Sequence, residues 1–162
     1  MVGATGDRDG AGYWVVLNMN PSEVFFSPGD ACRHRIVHRF NAARKTVDIC
    51  VFTITDDRIT KVILDAHRRK VAIRLVTDNY KAADLGSDVD ELRAAGIPVK
   101  VDETLVHMHH KFAIFDCTRL LNGSYNWTRG AAEQNAENIV DTGDEVLLKA
   151  FQHEFDAMWA KL

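Results

Sequence analysis

The chain has 162 residues, enough for one domain with its own hydrophobic core and short for two. Its composition, 46% hydrophobic and 27% charged residues, is that of a globular protein, and no run reaches the roughly 18 apolar residues of a membrane-spanning helix. Three widely spaced cysteines, Cys32, Cys50 and Cys117, form no Cys-x-x-Cys pair, which argues against a disulfide framework and a cysteine-based zinc site.

The net charge of −3 is unevenly distributed along the chain. Residues 31–74 contain 11 Lys and Arg against 4 Asp and Glu, whereas residues 133–162 contain 2 against 7. A basic segment in an acidic protein suits a polyanionic partner on one face. Solvated helix faces are the alternative explanation of the same pattern.

The first half of the chain alternates between strand-like and helix-like segments. Residues 1–22 are predicted to be a flexible lead-in with a possible first strand, and residues 23–162 a single domain. A strand is predicted at 24–26, and Asp30 is expected to N-cap a helix. Further strands are predicted at 46–52 and 71–76, with a turn at 77–79. Between the strands, a helix is predicted from Asp56 or Asp57 to His67, with an apolar stripe at helical spacing formed by Ile59, Val62, Ile63 and Ala66.

The second half continues the alternation. A helix over 88–95 is predicted to end at Gly96, and strands are predicted at 99–101, 111–115, 119–121 and 139–140, with 111–121 forming a hairpin. A closing helix from Asp144 has its predicted apolar side at Val146, Leu147, Phe151, Phe155, Met158 and Trp159. The predicted fold class is α/β, a mixed β-sheet flanked by helices on both faces.

Polar residues concentrate around the strand at 111–115, in the stretch HMHHKFAIFDCTRLLNGSYNWT. Residues two apart on a strand share a face, so His109 and Lys111 are expected to project together. The apolar residues 112–115 predict a strand buried on both faces, which would hold this pair rigidly. Residues 123–126 (GSYN) predict a turn into a helix, where main-chain N–H groups and small polar side chains would collect an anion.

The spacing His-x-Lys, four residues, Asp, six residues, Gly-Ser-x-Asn resembles the signature of the phospholipase D superfamily. Every element is present, as His109, Lys111, Asp116, Gly123, Ser124 and Asn126. The similarity extends over residues 23–162, because the segments EVFFSP, DICVFTITDDRI, IRLVTDN and AENIV also resemble this family. The members with a single motif are the most similar, namely the bacterial single-domain endonucleases and the mitochondrial cardiolipin-hydrolase branch. The resemblance implies a phospholipase D-like α/β/α sandwich.

The resemblance also implies a mechanism without metal or other cofactor. His109 would attack a phosphodiester phosphorus and form a phosphohistidine, while Lys111 supplies positive charge and Ser124 and Asn126 donate to the phosphate oxygens. Glu137 resembles the family's acid that holds the nucleophilic ring. The Asp116 carboxylate is expected to support the catalytic residues or the neighbouring histidine without contacting the substrate. The neighbouring histidines suggest zinc, but no Asp or Glu stands at a familiar metal spacing, so no metal is expected.

A single histidine cannot also protonate the leaving oxygen while it attacks phosphorus. The chain has only one His-x-Lys, so the simplest solution is a C2 homodimer with the active site at the interface. His107 is expected at the rim of the site, and His110 on the opposite face of the strand.

Phosphodiester chemistry fits several substrates. A nuclease acting on nucleic acid, single strands in preference, is favoured by a basic set that could track a phosphate backbone: Arg33, Arg35, Arg39, Arg44, Lys45, Arg68, Arg69 and Lys70. A phospholipid phosphodiesterase and a non-catalytic nucleic-acid-binding dimer are the alternatives. The N-terminal membrane anchor and the Cys/His insertion of the mitochondrial branch are not found in this sequence. That difference leads us to expect a cytoplasmic enzyme of the bacterial type, and leaves DNA and RNA equally open.

Overall fold

A computed structural model describes residues 21–162, so the predicted strand in the N-terminal lead-in lies outside the described residues. The strands are β1 (Glu23–Phe26), β2 (Thr46–Val51), β3 (Ala72–Asp78), β4 (Val99–Asp102), β5 (Lys111–Phe115), β6 (Arg119–Gly123) and β7 (Asn138–Thr142). The helices are α1 (Ala31–Ala42), α2 (Asp57–Arg68), α3 (Asn79–Ala82), α4 (Val89–Ala94), α5 (Arg129–Glu133) and α6 (Glu145–Lys161).

The seven strands form one mixed sheet in the order β1-β7-β6-β5-β2-β3-β4. β2, β3 and β4 are parallel neighbours, and every other pairing is antiparallel. In the register, Val51 of β2 pairs with Lys111 of β5, and Val47 pairs with Phe115. The last residues of β2 and β3 and the first residue of β5 therefore meet at one end of the sheet, here named the Lys111 end. The first residues of β2 and β3 define the other, the Thr46 end.

Helices cover both faces of the sheet, which confirms the predicted sandwich. Alternate residues of β2 point to opposite faces, so Ile49 joins the core under α1 and α2, whereas Cys50 joins the core under α6. The strand β5 contributes to both cores, because Phe112, Ala113, Ile114 and Phe115 are all buried. This double burial fixes the position of Lys111 at the start of the strand.

Most predicted elements are confirmed within a few residues, and α2 buries the expected stripe of Ile59, Val62, Ile63 and Ala66. The predicted apolar side of the last helix is wrong at its start. Val146 and Leu147 are exposed and Leu148 is buried instead, because Leu148 and Phe155 lie seven residues apart on one face of the helix.

The predicted turn at 77–79 is also wrong. β3 continues to Asp78 because Thr77 and Asp78 pair with Val101 and Asp102 of β4, and Asn79 begins α3. The Asp78 carboxylate accepts the Lys81 N–H and so caps that helix.

Candidate active site

His109 and Lys111 lie on the same side of the Lys111 end, against the ring of Phe52. The His109 imidazole is 4.6 Å from the Phe52 ring centroid, and the Lys111 Nζ is 5.1 Å from it. Lys111 Nζ also donates to the His109 carbonyl oxygen at 2.7 Å. His109 precedes the strand β5, and the Phe52 N–H donates to the His110 carbonyl at 2.9 Å, which holds this segment beside the end of β2.

The surroundings of His109 favour its neutral form. Burial lowers the pKa of the His109 imidazole, and the positive charge of Lys111 and the neighbouring His107 act in the same direction. Burial also lowers the pKa of the Lys111 ammonium, while the Glu137 carboxylate opposes that shift. A neutral imidazole beside a cation is the arrangement that nucleophilic attack on a phosphodiester requires.

The Gly-Ser-x-Asn segment is held by the strand β7. An added Cβ at Gly123 would lie 2.0 Å from the Asn138 carbonyl oxygen, so only glycine fits this close approach. The main-chain N–H groups of Ser124 and Tyr125 donate to that same oxygen at 3.1 and 3.4 Å. The predicted binding of an anion by this segment therefore cannot use these two N–H groups, because β7 already satisfies them.

The side chains of Ser124 and Asn126 differ in their hydrogen bonding. Ser124 Oγ accepts the Asn138 N–H at 3.1 Å and donates to Asn138 Oδ1 at 3.3 Å. Asn126 Oδ1 is buried and has no hydrogen-bond partner among residues 21–162. A buried acceptor without a partner destabilises the fold, and a phosphodiester oxygen cannot satisfy it because that oxygen is itself an acceptor. Only the Nδ2 group of Asn126 can donate to a phosphate, whereas Ser124 supports β7.

Glu137 immediately precedes β7, and its side-chain Oε1 accepts a hydrogen bond from Asn135 Nδ2 at 3.3 Å. Its carboxylate acts electrostatically on Lys111. The contacts of the described residues do not join it to the His109 ring. Within residues 21–162, the Glu137 carboxylate therefore interacts electrostatically with Lys111. The hydrogen bond expected between this carboxylate and the His109 ring is not found there.

Asp116 lies at the Thr46 end and follows β5, whereas His109 precedes β5 at the opposite end of the strand. Its carboxylate accepts the main-chain N–H groups of Arg44, Lys45 and Thr46 at 2.7 to 2.9 Å. Four residue steps along β5 separate Lys111 from Phe115, a distance of about 13 Å. The expectation that Asp116 supports the site is corrected: it fixes the connection between α1 and β2.

Two residues near the site have roles that the sequence did not reveal. The fully buried Asp78 accepts from the Met108 N–H and lies 3.1 Å from His107 Nδ1. The ring of His107 also contacts Phe52 and Tyr80. A carboxylate at the end of a buried parallel strand is the signal that could have identified Asp78.

Seven of the eight residues of the predicted basic set lie away from the candidate site. Arg35 and Arg39 pair with the buried Asp141 of β7. Parallel β2 and β3 both begin at the Thr46 end, so the ends of α1 and α2 bring five more residues there: Arg44, Lys45, Arg68, Arg69 and Lys70. The remaining one, Arg33, pairs with Asp30 at the start of α1. These seven residues therefore give no support to a nucleic-acid path through the site at the Lys111 end.

Within residues 21–162, no group of three His, Cys, Asp or Glu side chains is arranged to bind a metal ion. Within the same part of the chain, each helix is too short or too polar to cross a bilayer.

The chain belongs to the phospholipase D-like family. The sequence profile of that family described as "Cardiolipin synthase, PLD-like domain" matches residues 36–159. The resemblance seen in the His-x-Lys and Gly-Ser-x-Asn residues is thereby confirmed.

The chain is 49% identical over 125 residues to a protein of Chlamydomonas reinhardtii named mitochondrial cardiolipin hydrolase, covering 77% of this chain. It is 41% identical over 130 residues, 80% of this chain, to the Xenopus laevis protein of the same name. These alignments span only 56% and 62% of the two relatives' own lengths. Among solved structures, Nuc of Salmonella typhimurium, described as a phospholipase D family member, has the same fold. Its TM-score is 0.82 and its identity 24%, with coverage of 87% of this chain and 95% of that one.

Proposed function

We propose that the protein hydrolyses phosphodiesters with His109 as the nucleophile. The observation that carries the proposal is the placement of the His109 ring and the Lys111 ammonium together against Phe52, where the pKa of the imidazole is lowered. An imidazole nitrogen attacks phosphorus, the P–N bond forms, and the P–O bond to the leaving group breaks. Water then attacks the phosphohistidine, releasing the imidazole and a phosphomonoester. The Lys111 ammonium and the Asn126 Nδ2 group donate to the negative oxygens and stabilise them during both steps.

The leaving oxygen takes up a proton as the first bond breaks, so an acid is needed opposite His109. We assign this role to the protonated imidazole of His109 of the partner subunit in a C2 homodimer, with the phosphate on the two-fold axis. The attacking His109 is neutral, so the pair of rings carries one added proton. In the second step the same imidazole accepts a proton from the attacking water. Each active site then contains two copies of Lys111 and Asn126.

Turnover of bis(p-nitrophenyl) phosphate in EDTA tests the chemistry. We expect His109→Ala to lower turnover by roughly 10³-fold or more, as removal of a nucleophile does. His110→Ala is the matched control, because His110 is the adjacent imidazole but faces Glu154 of α6. Denaturation at alkaline pH, where the P–N bond is stable, should trap a p-nitrophenyl phosphoryl group on the wild-type chain and none on His109→Ala, and acid should release it. Turnover that survives His109→Ala, or that EDTA abolishes, contradicts the mechanism, and binding without turnover identifies a non-catalytic module.

Nucleic acid is the substrate class that we propose first, with a single strand favoured by a narrow groove on a two-fold axis. A phospholipid is the second candidate, because exposed Leu85, Leu105 and Val106 lie in connections at the Lys111 end. The names of the relatives from Chlamydomonas reinhardtii and Xenopus laevis agree with this candidate.

Competition among single-stranded DNA, RNA and cardiolipin vesicles separates the two. For a nuclease we expect the oligonucleotides to compete and cleavage to weaken with added salt. Leu105→Ser with Val106→Ser should leave oligonucleotide cleavage unchanged in that case. Cleavage of vesicles alone, lost in this double variant, establishes the lipid candidate instead.

A further inference from the structure

We infer that a second anion-binding site lies at the Thr46 end and takes the phosphodiester backbone of a nucleic-acid strand. The site is a surface pocket of about 350 Å³ lined by Asn41, Ala43, Arg44, Arg69 and Val71. It forms where the connection from α1 to β2 meets the connection from α2 to β3, and the Ala72 N–H donates to the Lys45 carbonyl there at 2.8 Å. The pocket and His109 lie at opposite ends of the sheet, because the pocket is at the Thr46 end and His109 is at the Lys111 end.

Main-chain oxygens, and no carboxylates, hold the two arginines of this pocket. Arg44 Nη1 donates to the carbonyls of Asn41 and Ala43 at 2.8 and 3.1 Å, and Arg69 Nη2 donates to the carbonyl of Phe40 at 2.6 Å. Neither guanidinium forms an ion pair within residues 21–162, so their charges are not neutralised there. Each arginine has five N–H donors in a planar fork that matches phosphate oxygens, and most of these donors remain available.

The sequence neighbours of the pocket residues add three more cationic side chains, Lys45, Arg68 and Lys70. Two carboxylates from outside these segments interact with them. Asp65 pairs with Lys61 and Arg68, and Asp116 accepts the main-chain N–H groups of the α1–β2 connection. Segments 41–45 and 68–71 contain five Lys and Arg and no Asp or Glu, in a chain whose net charge is −3. Such local reversal of charge attracts a polyanion to one end of the molecule.

The composition of segments 41–45 and 68–71, which form the pocket, favours nucleic acid over a membrane. A lipid-binding surface combines basic residues with apolar side chains that enter the bilayer. None of the exposed large apolar residues of the described chain lies in segments 41–45 or 68–71. A nucleic-acid backbone requires cations alone. The inference does not depend on which phosphodiester His109 hydrolyses.

The test uses an oligothymidylate of about 20 nucleotides, longer than one binding site, with His109→Ala as the background to prevent cleavage. We expect Arg44→Gln with Arg69→Gln to weaken binding about tenfold. The slope of log affinity against log salt concentration should become shallower by about 1.4, the value for two lost contacts to a single strand. The matched control, Lys61→Gln with Lys149→Gln, removes the same charge from two helix ion pairs and should change affinity less than about twofold.

An NMR titration and a charge-conserving double variant are two further tests of the site. The Nε–H signals of Arg44 and Arg69 should shift when the oligonucleotide is added, and Arg44→Lys with Arg69→Lys should bind with intermediate affinity because the charge remains and the fork is lost. Equal weakening by the control pair, unmoved arginine signals, or dependence on these arginines only with anionic vesicles overturns the site. Turnover of bis(p-nitrophenyl) phosphate by Arg44→Gln with Arg69→Gln should stay within about twofold of wild type, so failure here is distinguishable from failure of the proposed hydrolase.

Discussion

The buried Asp78 carboxylate lies 3.1 Å from His107 Nδ1, and the same oxygen accepts the Met108 main-chain N–H at 3.1 Å. Its other oxygen accepts the Lys81 N–H at 3.2 Å. One carboxylate thus holds the start of α3 and the two residues that precede His109. The position of the proposed nucleophile therefore depends on a residue from a different strand.

Asp78→Ala should destabilise the protein and impair turnover together. The change leaves buried N–H groups without an acceptor, and we expect the free energy of unfolding to fall by about 2–4 kcal/mol. Urea denaturation measures this change, and turnover of bis(p-nitrophenyl) phosphate measures the displacement of His109. Asp84→Ala is the control, because Asp84 pairs with Lys81 at the surface and should contribute less than about 1 kcal/mol. Equal stability of the two variants would refute this role of Asp78.

Lys111→Gln should raise the pKa of His109, because the ammonium charge opposes protonation of the neighbouring ring. The neutral imidazole is the attacking form, so activity is lost as pH falls through this pKa. The acid limb of kcat/KM should therefore move to higher pH in Lys111→Gln, in addition to the loss of rate. NMR titration of the His109 ring measures the pKa directly. Lys111→Arg keeps the charge and should keep the titration near wild type, and a Lys111→Gln titration that stays in place would contradict the proposed electrostatic effect.

Gly123→Ala should disrupt the pairing of β6 with β7. The added Cβ would lie 2.0 Å from the Asn138 carbonyl oxygen, so the two strands must separate. We expect a loss of at least about 3 kcal/mol in the free energy of unfolding. Gly130→Ala is the control within α5, where an added Cβ meets nothing within 4 Å, and it should be neutral or stabilising by up to about 1 kcal/mol. Thermal melting of both variants decides the matter.

The sequence was sufficient where local pattern determines structure. The buried strand at 112–115 and the helical stripe from Ile59 to Ala66 are encoded by residues close together in the chain, and both are confirmed. The directions of paired strands are not encoded locally. Arg44 and Arg69 lie at the Thr46 end because β2 and β3 are parallel, while His109 precedes the antiparallel β5 and lies at the other end. The position of Asp78 could not be predicted for the same reason, because pairing with β4 extends β3 to Asp78 where the local sequence predicts a turn.

Asp116→Ala should reduce stability without reducing turnover per folded molecule. Burial acts to raise the pKa of the Asp116 carboxyl, but hydrogen bonds from Thr46, Lys45 and Arg44 outweigh it and the pKa is lowered. The ionised carboxylate thus stabilises the fold at neutral pH, and this contribution disappears as pH falls through the lowered pKa. We expect a loss of about 1–3 kcal/mol at pH 7 by urea denaturation. A selective fall in kcat with unchanged stability would return Asp116 to the active site.

The proposed two-fold active site makes a quantitative prediction for mixed dimers. If each phosphate requires His109 from both chains, a dimer with one His109→Ala subunit is inactive. Refolding equal amounts of wild-type and His109→Ala chains together should leave about a quarter of the activity of the same total of wild-type chains, because only that fraction of dimers has two histidines. Independent sites would leave about half. Mixing wild type with His110→Ala, which keeps the nucleophile, controls for losses during refolding and should keep nearly full activity. A linear decline with the fraction of His109→Ala chains would show that one subunit completes the reaction alone.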